Sequence, residues 1–196
     1  MIGTQDFFSH ITLKSYSSMI PEIDTNSHIA HLSHLNGNVT VGKGVRIEPF
    51  TNLKATNNWI EICDDTYIGR YVSMNIRIDL PDNVPKAVSI GKGSIVEDRC
   101  VFTNVVLGEN VWVEEGAVLN EGTVVQDLVR ILPGSVIAAG KILESGKVYG
   151  GINGGEVVRD LNDEDLKEFN EMKDFTKSDL KMMDRESLLK YYYISS

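Results

Sequence analysis

His28, His31 and His34 stand three residues apart, and with His10 they are all the histidine the chain has. Imidazole is the side chain that can bind a metal ion or shuttle a proton near neutral pH. On a helix, His31 would share a face with either neighbour. The carboxylates offer a second chemistry. Glu97–Asp98 and Glu114–Glu115 are adjacent pairs, and a carboxyl group whose pKa is raised by burial can act as a general base. Neighbours on a strand point to opposite sides, so one member of each pair faces solvent, and solvated carboxylates are the simpler reading. Cys63 and Cys100 have no histidine partner in the sequence to make either a nucleophile. Gly150 to Gly155, GGINGG, lacks the Lys-Ser/Thr ending of a phosphate loop and reads as a flexible exit.

Bulk composition narrows the partners. With 28 acidic against 19 basic residues, a net charge of -9, the 196-residue chain has no basic patch to grip a phosphate backbone. No apolar run approaches the ~18 residues that cross a membrane, and the N-terminus lacks the basic start and apolar core of a signal peptide. Neither nucleic acid nor membrane is expected as a partner, and the cytoplasm is the expected compartment.

The elements that must position these groups follow from a repeat of six. From Leu107, apolar residues recur at Val113, Leu119, Val125, Ile131, Ile137, Leu143 and Tyr149. The N-terminal half shows Ile29, Leu35, Val41, Ile47 and Leu53, and the middle shows Ile62, Ile68 and Met74, then Ile90, Val96 and Phe102. Three residues after the marker, glycine recurs at 44, 93, 116, 122, 134, 140 and 146, as a turn with positive φ requires. Four residues after it come small or β-branched residues, among them Val45, Ser94, Cys100, Val111, Ala117, Thr123, Val129 and Ser135. No helical period yields this pattern. It is the signature of a hexapeptide β-helix: an all-β solenoid, a left-handed parallel β-helix with three hexads per coil and the marker residues plugging the prism. Such a prism leaves no room inside for substrate, so chemistry lies on outer faces or between subunits. His28 and His34, six apart, then occupy adjacent sides and diverge.

Three steps break the beat. Leu53 to Ile62 is nine residues, Met74 to Ile90 is sixteen, and Phe102 to Leu107 is five. The organisation expected is an irregular segment over 1–26, the β-helix over 27–158 with a loop insertion near 79–89, and C-terminal helices over 159–196. Asn162 caps the first helix, with Leu166, Phe169 and Met172 on one face, and Ser178 caps a second.

From Pro21 to about Leu166 the sequence resembles the gamma-class carbonic anhydrases. The likeness rests on the N-terminal coils, the three-residue insertion, the long loop, the five-residue step at Phe102 and the exit VYGGINGGEVVRDLNDEDL. It implies a trimer, with a metal held by three histidines between subunits, two from one chain and one from its neighbour. The matching positions here are Asn75, Asp98 and Thr103. They offer oxygen donors and a single charge, a poor set for zinc. The family's Arg-Gly-Asp run matches Lys54-Ala55-Thr56, and its Gln-Asp pair matches Gly69-Arg70.

The resemblance therefore implies a homotrimer whose metal site is degenerate, without carbon dioxide hydration by the family mechanism, serving as a binding or assembly module. Its pocket would lie between subunits, at Asn75, Asp98, Thr103, Lys54 and Arg70, and no cofactor is expected. A heterotrimer with a histidine-bearing paralogue is a second assembly the resemblance allows. The alternative is a hexapeptide-repeat acyltransferase using acetyl-CoA or another acyl-CoA.

Overall fold

A computed structural model describes residues 12–14, 20–82 and 84–182 of the chain. Short parallel strands wind into a β-helix of about seven turns. Each turn crosses three faces. The first carries Glu22–Ile23, the ends of the long strands His34–Val41 and Asn52–Ile62, then Val88–Ile90, Val106–Leu107, Val124–Val125 and Ile142–Leu143. The second carries His28–Ile29, Arg46–Ile47, Tyr67–Ile68, Ile95–Val96, Trp112–Val113, Arg130–Ile131 and Lys147–Gly150. The third carries Thr12–Lys14, the starts of the two long strands, then Ser73–Asn75, Val101–Thr103, Val118–Leu119 and Val136–Ile137.

The plugs explain the prism. Leu35, Leu53, Met74, Phe102, Leu119 and Ile137 pair in register from coil to coil. These and the plugs of the other two faces, from Leu35 to Tyr149, are no more than 3% exposed. Burying each aliphatic side chain contributes about 1.5–3 kcal/mol. The small or β-branched residues four after the plugs of the regular coils are also buried, Cys100, Ala117 and Thr123 at 0%. They turn inward at the corners, where only small or β-branched side chains fit.

The seven glycines of the repeat all have φ between 65° and 77°. Among the described residues, eight that are not glycine hold the same left-handed conformation: Leu32, Phe50, Asp65, Tyr71, Arg99, Asn104, Asn110 and Leu128. Asp and Asn tolerate it, whereas a leucine, tyrosine, phenylalanine or arginine carries a cost of about 1–2 kcal/mol each.

All three irregular steps fall at one corner, between the third face and the first. The three-residue insertion appears there as a register shift that pairs Gly37 with Ala55 but Asn38 with Trp59. The long loop occupies 76–87, because Ser73–Asn75 and Val88–Ile90 are already in their ladders. The five-residue step lies on the next coil.

The two ends differ from expectation. Glu22–Ile23 pairs in parallel with Thr40–Val41, so the coils begin ahead of residue 27. At the other end, Gly150–Gly155 does not lead straight into a helix. The chain turns back, and Glu156–Asp160 pairs antiparallel with Lys147–Gly150. Leu161–Ser196 forms a separate unit. Its helix runs from Asp163 to Met182 without a break, so Ser178 lies inside it and not at a cap. The remainder of the second helix expected there lies outside the described residues. The Asn162 cap is present and reciprocal: Asp165 N–H donates to Asn162 Oδ1 at 2.9 Å, and Asn162 N–H donates to Asp165 Oδ2 at 3.0 Å. Leu166 is exposed, and the buried stripe is Asp165, Phe169 and Thr176.

Candidate functional site

Lys54, Asn75 and Thr103 each follow a plug, so each points out of the prism. Register pairs Lys54 with Asn75 and Asn75 with Thr103 on three successive coils of the third face. Lys54 is exposed and the other two are half-buried. Asn75 Nδ2 donates to Ser73 Oγ at 3.0 Å. Asn36, on the coil before, pairs with Lys54, and its Oδ1 is buried without a hydrogen-bond partner among the described residues.

Arg70 and Asp98 stand at the other end of the same face. Asp98 Oδ1 accepts the Arg70 backbone N–H at 2.7 Å, and Arg99 N–H donates to the Arg70 carbonyl at 2.8 Å. This arrangement recurs. Asp64 Oδ1 accepts the Lys43 N–H at 2.8 Å, and Asp127 Oδ1 accepts the Glu109 N–H at 2.7 Å. The residue preceding each captured amide is glycine, and a Cβ on Gly42, Gly69 or Gly108 would sit 2.3–2.6 Å from the carboxylate oxygen. Asp98 therefore has a structural task in common with two other turns.

One chain thus brings Lys54, Asn75 and Thr103 together and holds Arg70 and Asp98 apart from them. The five-residue step does something the repeat did not disclose. Asn104, fully buried at φ 51°, ties down the long loop. Its Oδ1 accepts the Arg77 N–H at 2.7 Å, and its Nδ2 donates to the Arg77 and Pro85 carbonyls at 2.9 and 2.8 Å. The missing residue draws the left-handed position inward, where a short amide reaches both ends of the loop. Arg77 adds an ion pair to Glu121 at 3.1 Å, and Val84 packs toward Gly122. The sequence signal for the clamp was the shortened step itself.

The other candidates are committed to partners. Glu97 lies on the second face, where burial raises its pKa. Its Oε1 accepts the Trp112 Nε1–H at 2.7 Å, and its Oε2 accepts the Glu115 N–H at 3.2 Å. Glu114 pairs with Arg130 at 2.6 Å, and the Arg130 guanidinium lies 4.2 Å from the Trp112 ring centre. Glu115, the exposed member of its pair, meets Arg99. Cys100 is buried and its thiol donates to the Glu114 carbonyl at 3.2 Å, while Cys63 is half-buried. His28 and His34 lie on different faces, as the six-residue spacing requires.

A zinc-type ion wants imidazole or thiolate ligands. Asn75, Thr103 and Asp98 supply an amide, a hydroxyl and one carboxylate already engaged by the Arg70 amide. That set does not fit such an ion. Among the described residues, no group of three or more His, Cys, Asp and Glu is placed to hold a metal ion.

The stacked triangular coils define the class: a left-handed parallel β-helix of the hexapeptide-repeat kind. No known protein-family profile matches the chain. It is 26% identical over 157 residues to gamma carbonic anhydrase 2, mitochondrial, of Arabidopsis thaliana, covering 80% of this chain and 56% of that protein. The structure resembles that of a hexapeptide transferase family protein from Anaplasma phagocytophilum, with a TM-score of 0.77 and 22% identity over 86% of this chain and 95% of that one. It also resembles an N-acyltransferase from Bacillus cereus in complex with coenzyme A and dTDP-4-amino-4,6-dideoxyglucose, with a TM-score of 0.56 and 14% identity over 84% and 88% of the two chains. Within that class, the chain is similar in sequence to the gamma carbonic anhydrases. It spans little more than half the length of the curated relatives it matches. No helix among the described residues is long and apolar enough to cross a membrane.

Proposed function

We propose that this chain is a homotrimeric binding or assembly module that has the gamma carbonic anhydrase scaffold without its metal chemistry. One observation supports the reading: Asp98, the one charged member of the three residues the resemblance sets at that family's ligand positions with Asn75 and Thr103, spends an oxygen on the Arg70 amide. The module's pocket is the Lys54–Asn75–Thr103 column of one subunit, completed by Arg70 and Asp98 of the next. A histidine-bearing paralogue in place of one subunit is a second way to build the trimer, tested by co-purification. The cytoplasm is the compartment we assign, and fractionation checks it.

The test is metal analysis of protein purified in metal-free buffer, paired with a stopped-flow assay of carbon dioxide hydration. The reading expects neither stoichiometric metal nor activity. Stoichiometric zinc, iron or cobalt together with hydration activity overturns it.

The coenzyme A in the Bacillus cereus neighbour's complex favours a second reading. In it, the chain transfers an acyl group from acetyl-CoA or a related thioester. With no histidine after His34 to act as base, a buried carboxylate such as Glu97 would have to serve. Saturable acetyl-CoA binding supports this reading, and its absence across common acyl-CoAs counts against it.

A further inference from the structure

On the first face, the outward residue before each plug changes character part-way along the solenoid. In register it is Glu22, Thr40, Glu61 and Ser89, and then Val106, Val124 and Ile142. Val106 and Val124 are half-buried, and Ile142 is 61% exposed. The apolar column begins just after the five-residue step and follows the last three strands of the face.

A second departure stands on the same coils. Where the first face turns into the second, the left-handed position holds Gly44, Asp65, Gly93, Asn110 and Gly146. On the coil between Asn110 and Gly146 it holds Leu128, at φ 55° and 45% exposed. Leucine is strained there, while the coils above and below make the same turn with asparagine and glycine, which tolerate it. Between this corner and the apolar column lie Glu109, Asp127 and Glu144, all exposed. Of the lysines beside them, Lys92 stands one coil above Glu109, Lys141 donates to the Gly155 carbonyl, and Lys147 pairs with Asp160 at 2.9 Å. Two coils above Gly108, burial and then Glu61, Asp64 and Glu109 raise the pKa of Cys63, so this side of the prism is negative.

We propose that the Val106–Val124–Ile142 column is the docking site for a basic amphipathic helix of another protein. The helix lies along the solenoid axis with its cationic edge over Glu109, Asp127 and Glu144, and Leu128 closes the far side. This gives the binding module proposed above its class of partner, and rests on that reading for its role. Spacing selects a helix. Neighbouring strands are ~4.8 Å apart, so the ends of the column are about 9.6 Å apart. Helix residues seven apart, with a third anchor between them, rise about 10.5 Å. An extended strand repeats on one face about every 6.6 Å and falls out of step. Charge selects the partner. A second copy of this chain, at net charge -9, brings acid to acid, as does an anionic membrane.

The probe is a fluorescein-labelled helical peptide with leucines at i, i+4 and i+7 flanked by lysines. It is titrated with the full chain and followed by anisotropy. Wild type should bind it saturably, one peptide per chain. A scrambled peptide of the same composition, and one with glutamates for the lysines, should each bind at least about tenfold more weakly. Ile142→Lys should cost at least about tenfold in affinity. Glu109→Gln with Glu144→Gln should weaken binding and flatten its salt dependence. Thr40→Ala, on the polar part of the same face, should leave binding unchanged. Leu128→Gly should weaken binding while the free chain unfolds at a urea midpoint no lower than the wild type's, because a left-handed strain is relieved. No saturable binding, equal binding of the scrambled peptide, an unaffected Ile142→Lys, or a lowered Leu128→Gly midpoint each overturns the proposal. Saturable binding to anionic phosphatidylserine vesicles in place of the peptide overturns the choice of partner. The metal and hydration assays are read separately. A zinc-loaded, active protein that still binds the peptide through this column refutes the metal-free reading and leaves the docking site standing, and a metal-free protein that ignores the peptide does the reverse.

Discussion

Removing the Asn104 side chain tests whether the shortened step exists to hold the long loop. In Asn104→Gly the backbone keeps its φ of 51° without strain, so the variant isolates the side chain. Three hydrogen bonds disappear, one from the Arg77 amide and two to the Arg77 and Pro85 carbonyls. At about 1 kcal/mol net for each bond, the root of the loop loses about 3 kcal/mol. Solenoid coils touch only their neighbours, so the loss appears first as local opening and only partly as global unfolding. Hydrogen exchange at the Arg77 amide should speed up by about 100-fold, since 1.4 kcal/mol is about a factor of ten. Proteolysis within 78–86 should follow. Asn104→Ala should be worse by about 1 kcal/mol, because alanine resists the left-handed region and makes none of the bonds. Unchanged protection of the Arg77 amide in Asn104→Gly would show that the loop is held by Arg77–Glu121 and Val84 instead.

Four further outcomes follow from the geometry. Gly37→Ala would place a Cβ 2.0 Å from the Ala55 carbonyl oxygen at φ +84°, and urea unfolding should show a loss of more than about 3 kcal/mol. Asp98→Ala should cost about 1 kcal/mol by freeing the Arg70 amide, and Asp98→Asn, which keeps an acceptor, should cost less. Burial, and then Arg46, hold the pKa of His28 below its ordinary 6.5, with Glu48 opposing. The unfolded state therefore binds the proton first, and stability should fall as pH drops through 6.5 toward the folded value, a slope that His28→Gln removes when midpoints are compared between about pH 5 and 7. Burial pushes the Cys100 thiol up to about 12, so iodoacetamide at about pH 8 should label Cys63 slowly and leave Cys100 untouched by mass spectrometry until the protein unfolds.

The repeat was legible because a plug must point inward on every hexad, and a side chain's class reports which side of a strand it faces. Leu107 to Tyr149 could be assigned by counting. The glycine positions were equally plain, since a left-handed turn selects glycine. Tyr71 and Arg99 were not, because nothing in their type announces a positive φ. Contacts between coils were harder still. The Asp98–Arg70 cap reaches across the long loop, and the Asn104 clamp joins that loop to the shortened step, so no fixed spacing links the partners. The Trp112–Arg130 pair sits at the regular eighteen-residue interval but signals nothing until the register is known. Ser178 misled because a serine before an amphipathic run looks like a cap, although the helix beginning at Asp163 already had its cap at Asn162.

The corner that collects all three irregular steps has a practical consequence. Relative to six residues, it has accommodated a deletion of one, an insertion of three and an insertion of ten, while the plugs on either side keep their ladders. Length at this edge is decoupled from the fold, much as a book's bookmark can vary without disturbing the binding. Ala138, Ala139 and Gly140 lie at the same edge of a regular coil and are exposed. A peptide epitope or a tethered enzyme spliced in there would ride on a rigid rod at a defined height, with the Ile137 and Leu143 plugs still seated beneath it.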